Sequence, residues 1–390
     1  MNRELNRLIY LDHSATTPVD PGVIKTMNHV LEQAWGNPSS LYGKGREAKI
    51  VLENAREKIA SLLHGTPENL FFTSGGTEAD NLALFGVMRC ARRENRGNHL
   101  IISPIEHSAI NKAAHTLETE GFRVTRLPIN ETGIIDPEKL RVAIEDDTVL
   151  VSVMYVNNEI GTIQPIEELG AICRSREVLF HTDAVQSFGK LDLNVTELPV
   201  DLVSISSHKI YGPKGVGAIY LRPEVPIDPV TQGGGQEKNI RTGTENMPGI
   251  AGFGEAAAIC AQEIGQENNR LENLRNRFLS WIREAVHGEV LVNGDLTRRL
   301  GANLNLAFPG IEGESLLLAL DLDGIAVSTG SACSSGSTKP SHVLTAIGRD
   351  PETAHSSIRI TLGRSTTEED LQYVTDRLAY HVNRLREFAF

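Results

Sequence analysis

The sequence predicts an α/β protein whose large domain is a mostly parallel, seven-stranded type of sheet flanked by helices, joined to a smaller α+β domain. Three observations lead to this prediction. Short apolar runs alternate with stretches of helical periodicity between residues 69 and 221. Polar residues follow the ends of several of those runs. The chain of 390 residues is long enough for one large domain and a second, smaller one.

The bulk composition is that of an ordinary globular protein. With 40% hydrophobic and 23% charged residues, the chain fits neither a disordered nor a fibrous class. Its formal net charge of -12 argues against a surface that coats nucleic acid. No apolar run approaches membrane-spanning length, and the N-terminus fits no signal peptide. We therefore expect a cytoplasmic protein that has neither a membrane nor nucleic acid as a direct partner.

The four cysteines lie far apart, and none forms a CxxC pair. We therefore expect neither a disulfide framework nor a zinc site, and a reducing compartment. Cys90, Cys173 and Cys260 fall on predicted helices, where a free cysteine is normally a small buried hydrophobe. Cys333 lies instead in a run of small residues from 328 to 338. We expect it to be exposed, mobile and available for reaction.

The N-terminal elements are a short strand and two helices. The strand covers residues 8–11 and leads into a polar loop, and Pro21 opens a helix through about residue 31. A loop rich in helix breakers, residues 36–40, precedes a second helix over residues 47–63.

A strand, a glycine turn and a helix follow one another over residues 69–92. The turn reads Ser74-Gly75-Gly76-Thr77. Such a turn can cradle an anion, because the free backbone N–H groups and the helix dipole point at it. The alternative is a tight helix start that Thr77 caps.

Strands and helices then alternate as far as residue 180. The strands are predicted at 99–104, 122–127, 149–156 and 178–180, and the helices at 108–120, 137–144 and 166–174. Ligands of such folds bind at the carboxyl ends of the strands. His107, Asn158 and Asp183 follow strand ends there. Each alone suits a cap or a turn, but together with Thr77 and Lys209 they indicate a site.

Lys209 lies between two apolar runs, residues 200–206 and 216–221, which predict buried strands. Burial lowers the pKa of a lysine and leaves a nucleophilic amine, which Schiff-base chemistry requires. The alternative is a lysine at a strand end whose amine reaches water.

The second half of the chain is less regular. A glycine-rich segment, residues 233–246, is either a surface loop or a loop that closely approaches a ligand. A long helix over about residues 250–286, with a break near Gly265, is expected to link the domains. The last helix begins with a capping box at residues 366–369. Arg359 lies on an apolar strand, so it either pairs with an anion or occupies the solvent side of an edge strand.

The predicted large, cofactor-binding domain covers residues 15–257. The small domain covers residues 1–14 and 258–390 and carries the cysteine loop at about residues 328–340.

These motifs together resemble those of the cysteine desulfurases, pyridoxal-phosphate (PLP) enzymes of the fold-type I, class V aminotransferase group. The resemblance runs nearly end to end, and its most specific parts are residues 182–186 and 206–217. The long cysteine loop is similar to that of the subtype that supplies general iron–sulfur assembly. Residues 12–15 are Asp-His-Ser-Ala where many relatives have Asp-Asn-Ala-Ala, a change that bears on a contact near the substrate.

The resemblance implies a role for each candidate residue. Lys209 forms the internal aldimine with PLP, Asp183 pairs with the pyridine nitrogen, and His107 stacks on the ring and shuttles protons. Further cofactor contacts are implied for Asn158 and Gln186 at the ring, for Gly76, Thr77, Ser206 and His208 at the phosphate, and for Thr244 from the other subunit of a homodimer. Arg359, with Asn158, binds the substrate carboxylate, and Cys333 is the catalytic sulfur acceptor.

The implied activity converts L-cysteine to L-alanine and leaves a persulfide on Cys333. The sulfur then passes to an acceptor protein such as an iron–sulfur scaffold. No metal is expected, with Cys333 as a candidate transient cluster ligand. The alternatives are a cystine or selenocysteine lyase or a related class V aminotransferase on the same scaffold, and a catalytically idle docking protein.

Overall fold

A computed structural model of the chain describes residues 8–329 and 339–388. Its larger sheet is mixed, with seven strands in the order β2-β8-β7-β6-β5-β3-β4. The N-terminal strand β1 (Ile9–Tyr10) lies outside it. The seven are β2 (Leu70–Thr73), β3 (His99–Ile102), β4 (Arg123–Arg126), β5 (Thr148–Ser152), β6 (Leu179–Asp183), β7 (Leu202–Ser206) and β8 (Gly217–Leu221). The predicted fold class is confirmed.

Strand direction brings the polar strand ends to one edge. Strands β4, β3, β5, β6 and β7 are parallel neighbours. Strand β8 is antiparallel to both β7 and β2, so β2 runs in the same direction as the parallel set. Every residue of β3, β5 and β7 is buried. Both sheet faces must therefore be covered by helices, as expected for a parallel sheet.

Helices flank this sheet. They are α1 (Pro21–Gln33), α2 (Gly43–Leu62), α3 (Gly76–Asn81), α4 (Val87–Arg93), α5 (Ser108–Thr119), α6 (Pro137–Ala143) and α7 (Ile166–Ser175). A single π-helical segment, Leu82–Gly86, joins α3 to α4. The caps follow from sequence: Asp20 and Asp136 each precede a proline and accept a backbone N–H from the first turn.

The long helix α8 (Met247–Ala285) is continuous, so the predicted break near Gly265 is wrong. A Cβ added at Gly265 would have no neighbour within 4 Å, so this glycine faces open space. A glycine within a helix makes the helix less stable by about 1 kcal/mol relative to alanine. The packing of the rest of α8 outweighs this small loss. Within the described ranges, no helix is both long enough and apolar enough to cross a membrane.

The C-terminal region forms a second hydrophobic core around a four-stranded antiparallel sheet, β12-β13-β10-β9. Its elements are β9 (Leu291–Val292), β10 (Asn303–Ala307), α9 (Gly313–Leu322), β11 (Ile325–Ala326), β12 (Ser328–Thr329), α10 (His342–Ala346), α11 (Pro351–His355), β13 (Ser357–Thr361) and α12 (Glu368–Phe388). Strand β1 pairs with β11 in this region. The predicted domain boundaries stay a prediction.

The capping box of α12 lies one residue later than predicted. Thr367 and Asp370 exchange backbone and side-chain hydrogen bonds of 3.1 and 3.2 Å. Asp370 can fill this position because any short acceptor three residues after the cap reaches back to the cap's N–H.

Two glycines of α8 provide a matched test of this packing. A Cβ at Gly254 would lie 2.7 Å from Ala55 Cα on α2, whereas one at Gly265 meets nothing. We predict that Gly254→Ala lowers the free energy of unfolding by about 1–3 kcal/mol, because the two helices must separate. Gly265→Ala should raise it by up to about 1 kcal/mol. Urea unfolding of both variants checks this; midpoints that move in the same direction would contradict the close α2–α8 contact.

Candidate active site

A cavity of about 320 Å³ lies at the carboxyl edge of the larger sheet. Its lining includes Gly76, Thr77, His107, Asn158, Asp183, Gln186, Ser206, His208, Lys209 and Arg359. These are the predicted cofactor- and substrate-binding residues, apart from Thr244. The prediction that polar strand ends meet at one edge is therefore confirmed as geometry.

Lys209 ends a single helical turn, Ser207–Lys209, that follows β7 directly. Its Nζ donates hydrogen bonds to the carbonyls of Ser14, at 2.6 Å, and Ala15, at 2.7 Å. The chain then turns tightly: a Cβ at Gly212 would lie 2.0 Å from Ser207 Oγ, so only glycine fits. This turn fixes the lysine amine at the cavity wall.

The turn before α3 has the features of an anion cradle. Gly75, not Thr77, occupies the N-cap position, and no side chain caps the helix. The predicted alternative, a cap by Thr77, is therefore wrong. Glu78 accepts the N–H of Ser74, just before the helix, at 2.6 Å. The first N–H groups of a helix have no partner within it and suit an anion. A Cβ at Gly76 would lie 2.6 Å from Val185, so glycine keeps the cradle open.

Three buried carboxyl groups lie beneath the cavity: Asp183, Asp80 and Glu106. Burial raises the pKa of each, and the negative charge of Asp183 raises the pKa of Asp80 and of Glu106 further. Asp183 is the best stabilised as an anion. It accepts the Val185 N–H at 2.9 Å, and His107 and Lys209 oppose the rise of its pKa. Asp183 is therefore the carboxylate that can pair with a cationic ring nitrogen.

His107 has two structural roles at once. It caps α5 by accepting the Ala109 N–H on Nδ1 at 3.2 Å, and it also lines the cavity. Burial lowers its pKa, although the charge of Asp183 opposes this. A neutral ring that accepts on Nδ1 carries its proton on Nε2.

Arg359 is buried in the middle of the second sheet, so the predicted alternative of a solvent-facing edge position is wrong. Strand β13 lies between β12 and β10, and all of its residues are buried. The guanidinium donates to Asp12 at 2.8 Å and to the Asn158 carbonyl at 3.1 Å. Arg359 also lines the cavity, and its Nε has no hydrogen-bond partner among the described residues, so it can bind a carboxylate.

One predicted residue, Thr244, is absent from the cavity lining. Thr244 is exposed and follows Arg241, whose guanidinium pairs with Glu78 at 2.8 Å at the start of α3. Cys333 lies outside the described residues. The other cysteines are free and buried, as predicted.

Comparison with known proteins places the chain in a family. The model for the class-V aminotransferases matches residues 9–374. The chain is 48% identical over 382 residues to "Cysteine desulfurase IscS" of Dictyoglomus turgidum, which covers 98% of this chain and 96% of the relative. The chain belongs to the cysteine desulfurases of the class-V aminotransferase family.

Other cysteine desulfurases agree with this assignment. The human "Cysteine desulfurase" is 47% identical over 386 residues, covering 98% of this chain and 83% of the relative. A solved structure titled "NIFS-LIKE PROTEIN" superposes with a TM-score of 0.90 at 38% identity, covering 98% of this chain and all of the other. The resemblance predicted from the sequence motifs is confirmed.

Sequence reasoning missed Asp80 and Lys190. Asp80 lies on α3, where an isolated acidic residue gives no sign that it faces inward. It is only 1% exposed. Lys190 follows a glycine in a turn, and nothing in its neighbours distinguishes it from a surface lysine. Glu106 precedes His107, and nothing in the sequence indicates that its side chain is buried.

Glu159, next to Asn158, is buried and accepts a hydrogen bond from Ser341. Burial raises its pKa to about 7, although Ser341 and the charge of Arg359 oppose this. The carboxyl group of Glu159 therefore stays protonated between pH 4.5 and 7 in the folded chain, whereas it ionises over this range in the unfolded chain. The free energy of unfolding that protonated Glu159 contributes is fully present below pH 4.5 and is lost as pH rises through 7.

We predict that Glu159→Gln removes this pH dependence, which amounts to up to about 3 kcal/mol of unfolding free energy. The measurement compares thermal unfolding midpoints of variant and wild type from pH 5 to 8. Glu57→Gln, at an exposed position of α2, is the matched control and should follow wild type. A Glu159→Gln variant whose midpoints run parallel to wild type across this range would rule out a titrating Glu159.

Proposed function

We propose that this protein is a PLP-dependent cysteine desulfurase that transfers sulfur from L-cysteine to Cys333 and releases L-alanine. One observation carries the proposal: Lys209, Asp183 and Arg359 line the same cavity of about 320 Å³. A lysine amine, a buried carboxylate and an arginine in one site match an aldehyde cofactor with a ring nitrogen, together with an amino-acid substrate.

The donor set of the cavity fits PLP. Ser206 Oγ, Asp80 Oδ1 and Arg359 Nε are buried and have no hydrogen-bond partner among the described residues. Ser206 lies beside the open cradle of Gly76 and Thr77 and can donate to a phosphate. Gly76, Thr77, Ser206 and His208 would hold the phosphate, and Asn158 and Gln186 the ring substituents. When bound, PLP supplies an electron sink next to the substrate's α-carbon.

The chain's own residues would then position the reaction. Lys209 would bond to the cofactor's aldehyde and, once displaced by substrate, accept the α-proton on Nζ. Arg359 would bind the substrate carboxylate and thereby orient the α-carbon. His107, with its proton on Nε2, would stack on the ring and can donate a hydrogen bond within the cavity.

Sulfur transfer needs a thiol, no cysteine among the described residues lines the cavity, and we assign this role to Cys333. Its thiolate attacks the sulfur of L-cysteine, so the carbon–sulfur bond breaks as a sulfur–sulfur bond forms. The electron pair of the broken bond takes up a proton on carbon, which gives L-alanine and a persulfide. The reaction balances without an external oxidant or reductant. An acceptor protein, such as an iron–sulfur scaffold, would then receive the sulfur.

The assembly we propose is a homodimer in which Thr244 reaches the phosphate of the partner's cofactor. Support comes from the exposure of Thr244 and from its absence from the lining of its own subunit's cavity. Cys90, Cys173 and Cys260 are unbridged, which fits a reducing compartment such as the cytoplasm.

Mass spectrometry tests this function directly. After the purified protein is mixed with L-cysteine, we predict the mass of one extra sulfur atom on the peptide that contains Cys333. Cys333→Ala should abolish both this mass and sulfide release, whereas Cys260→Ala, at a buried position, should leave both unchanged. If Cys333→Ala released sulfide at the wild-type rate, a lyase of cystine or selenocysteine type would be favoured instead.

A further inference from the structure

The turn after β6 brings a second lysine next to the cofactor cavity. Gly189 has a left-handed φ of 68°, and a Cβ there would lie 2.9 Å from Ile210 Cγ2. Glycine therefore lets the chain reverse tightly enough for Lys190 to point back at Gln186. Asn268 of α8 donates a hydrogen bond to the Lys190 carbonyl, which holds the end of the turn in place.

Lys190 binds the oxygen end of the Gln186 amide. Its Nζ donates to Gln186 Oε1 at 3.1 Å, while Gln186 Nε2 donates to the Ser14 carbonyl at 2.9 Å. Rotating the amide by half a turn would place Oε1 against the Ser14 carbonyl, an acceptor against an acceptor. It would also set the amide N–H groups against the lysine's own donors. The two contacts together allow one orientation of the amide.

This orientation determines which hydrogen-bonding group of Gln186 is available to a molecule in the cavity. Gln186 is only 4% exposed and lines the cavity wall. Its Nε2 carries a second N–H, which is available for an acceptor atom of a bound molecule. The same Ser14 carbonyl also accepts a hydrogen bond from Lys209 at 2.6 Å. Lys190 is thus linked to both Gln186 and the loop that holds Lys209.

The charge environment of Lys190 does not change this role. Burial and the charge of Lys209 together lower its pKa to about 7, and Cys260 opposes this. A small cavity of about 50 Å³ adjoins it, and its titratable lining includes His13, Cys260, Glu263, Glu267 and Arg364. An amine donates N–H in either protonation state, so the contact with Gln186 Oε1 persists when the amine loses its proton.

We propose that Lys190 is a positioning residue for the cofactor: it fixes the Gln186 amide so that Nε2 donates to an acceptor oxygen on the PLP ring. The inference rests on the proposed function, since it assumes that PLP occupies this cavity. Lys190 acts only through Gln186 and touches no reacting atom. The loss of its hydrogen bond should therefore weaken cofactor binding without removing any group that the chemistry uses.

The test measures PLP binding to cofactor-free protein by spectroscopic titration. We expect Lys190→Met to weaken binding about tenfold, which is the effect of one buried hydrogen bond. Lys190→Arg, which keeps a donor and can use the adjoining cavity, should rescue most of the affinity. Lys112→Met, at an exposed position of α5, controls for the loss of a lysine. Thermal unfolding of each cofactor-free variant checks that it is folded.

A double-mutant cycle separates this role from a general electrostatic one. In a Gln186→Met background, Lys190→Met should have no further effect on PLP affinity, because its target is gone. An equal loss in both backgrounds, wild-type affinity in Lys190→Met, or a failure of Lys190→Arg to rescue would each overturn the proposal. A wild-type chain that takes up no PLP at all would instead overturn the proposed function, and this inference with it.

Discussion

The hydrogen bonds from Lys209 Nζ to the carbonyls of Ser14 and Ala15 are the contacts on which the rest of the site depends. They join the end of β7 to a loop that also reaches the second sheet, where the Ser14 N–H donates to Thr361 at 2.9 Å. The same loop carries Asp12, the partner of Arg359. One loop therefore sets the distance between the cofactor-binding lysine and the substrate-binding arginine, which come from different sheets.

Electrostatics give the cavity a defined pattern of charge. Three buried carboxyl groups cannot all ionise in so small a volume, and the partners of Asp183 favour its anion over that of Asp80 or Glu106. On the other side, burial and the charge of Lys209 lower the pKa of His208 to about 4. His208 is therefore a neutral donor or acceptor near the anion cradle. The cavity presents one carboxylate to a ring nitrogen and backbone donors to a phosphate.

Much of this arrangement could be predicted from the sequence, because it follows from chain direction. Alternating strands and helices require a parallel set, and that set places His107, Asn158 and Asp183 at one edge. The direction in which isolated polar side chains point could not be predicted. Neither the inward position of Asp80 nor the contact of Lys190 with Gln186 leaves a periodic signal. Gly265 shows the opposite error: local propensity suggested a break, but the packing of α8 maintains a continuous helix.

Of the lysines in this region, we expect only Lys209 to bond to the cofactor. Borohydride reduction of the PLP-loaded protein, followed by proteolysis and mass spectrometry, tests it most directly. The structure predicts a pyridoxyl group on the peptide that contains Lys209 and none on Lys190 or Lys214. A label on Lys190, or a reduced protein that carries no label, would contradict the account.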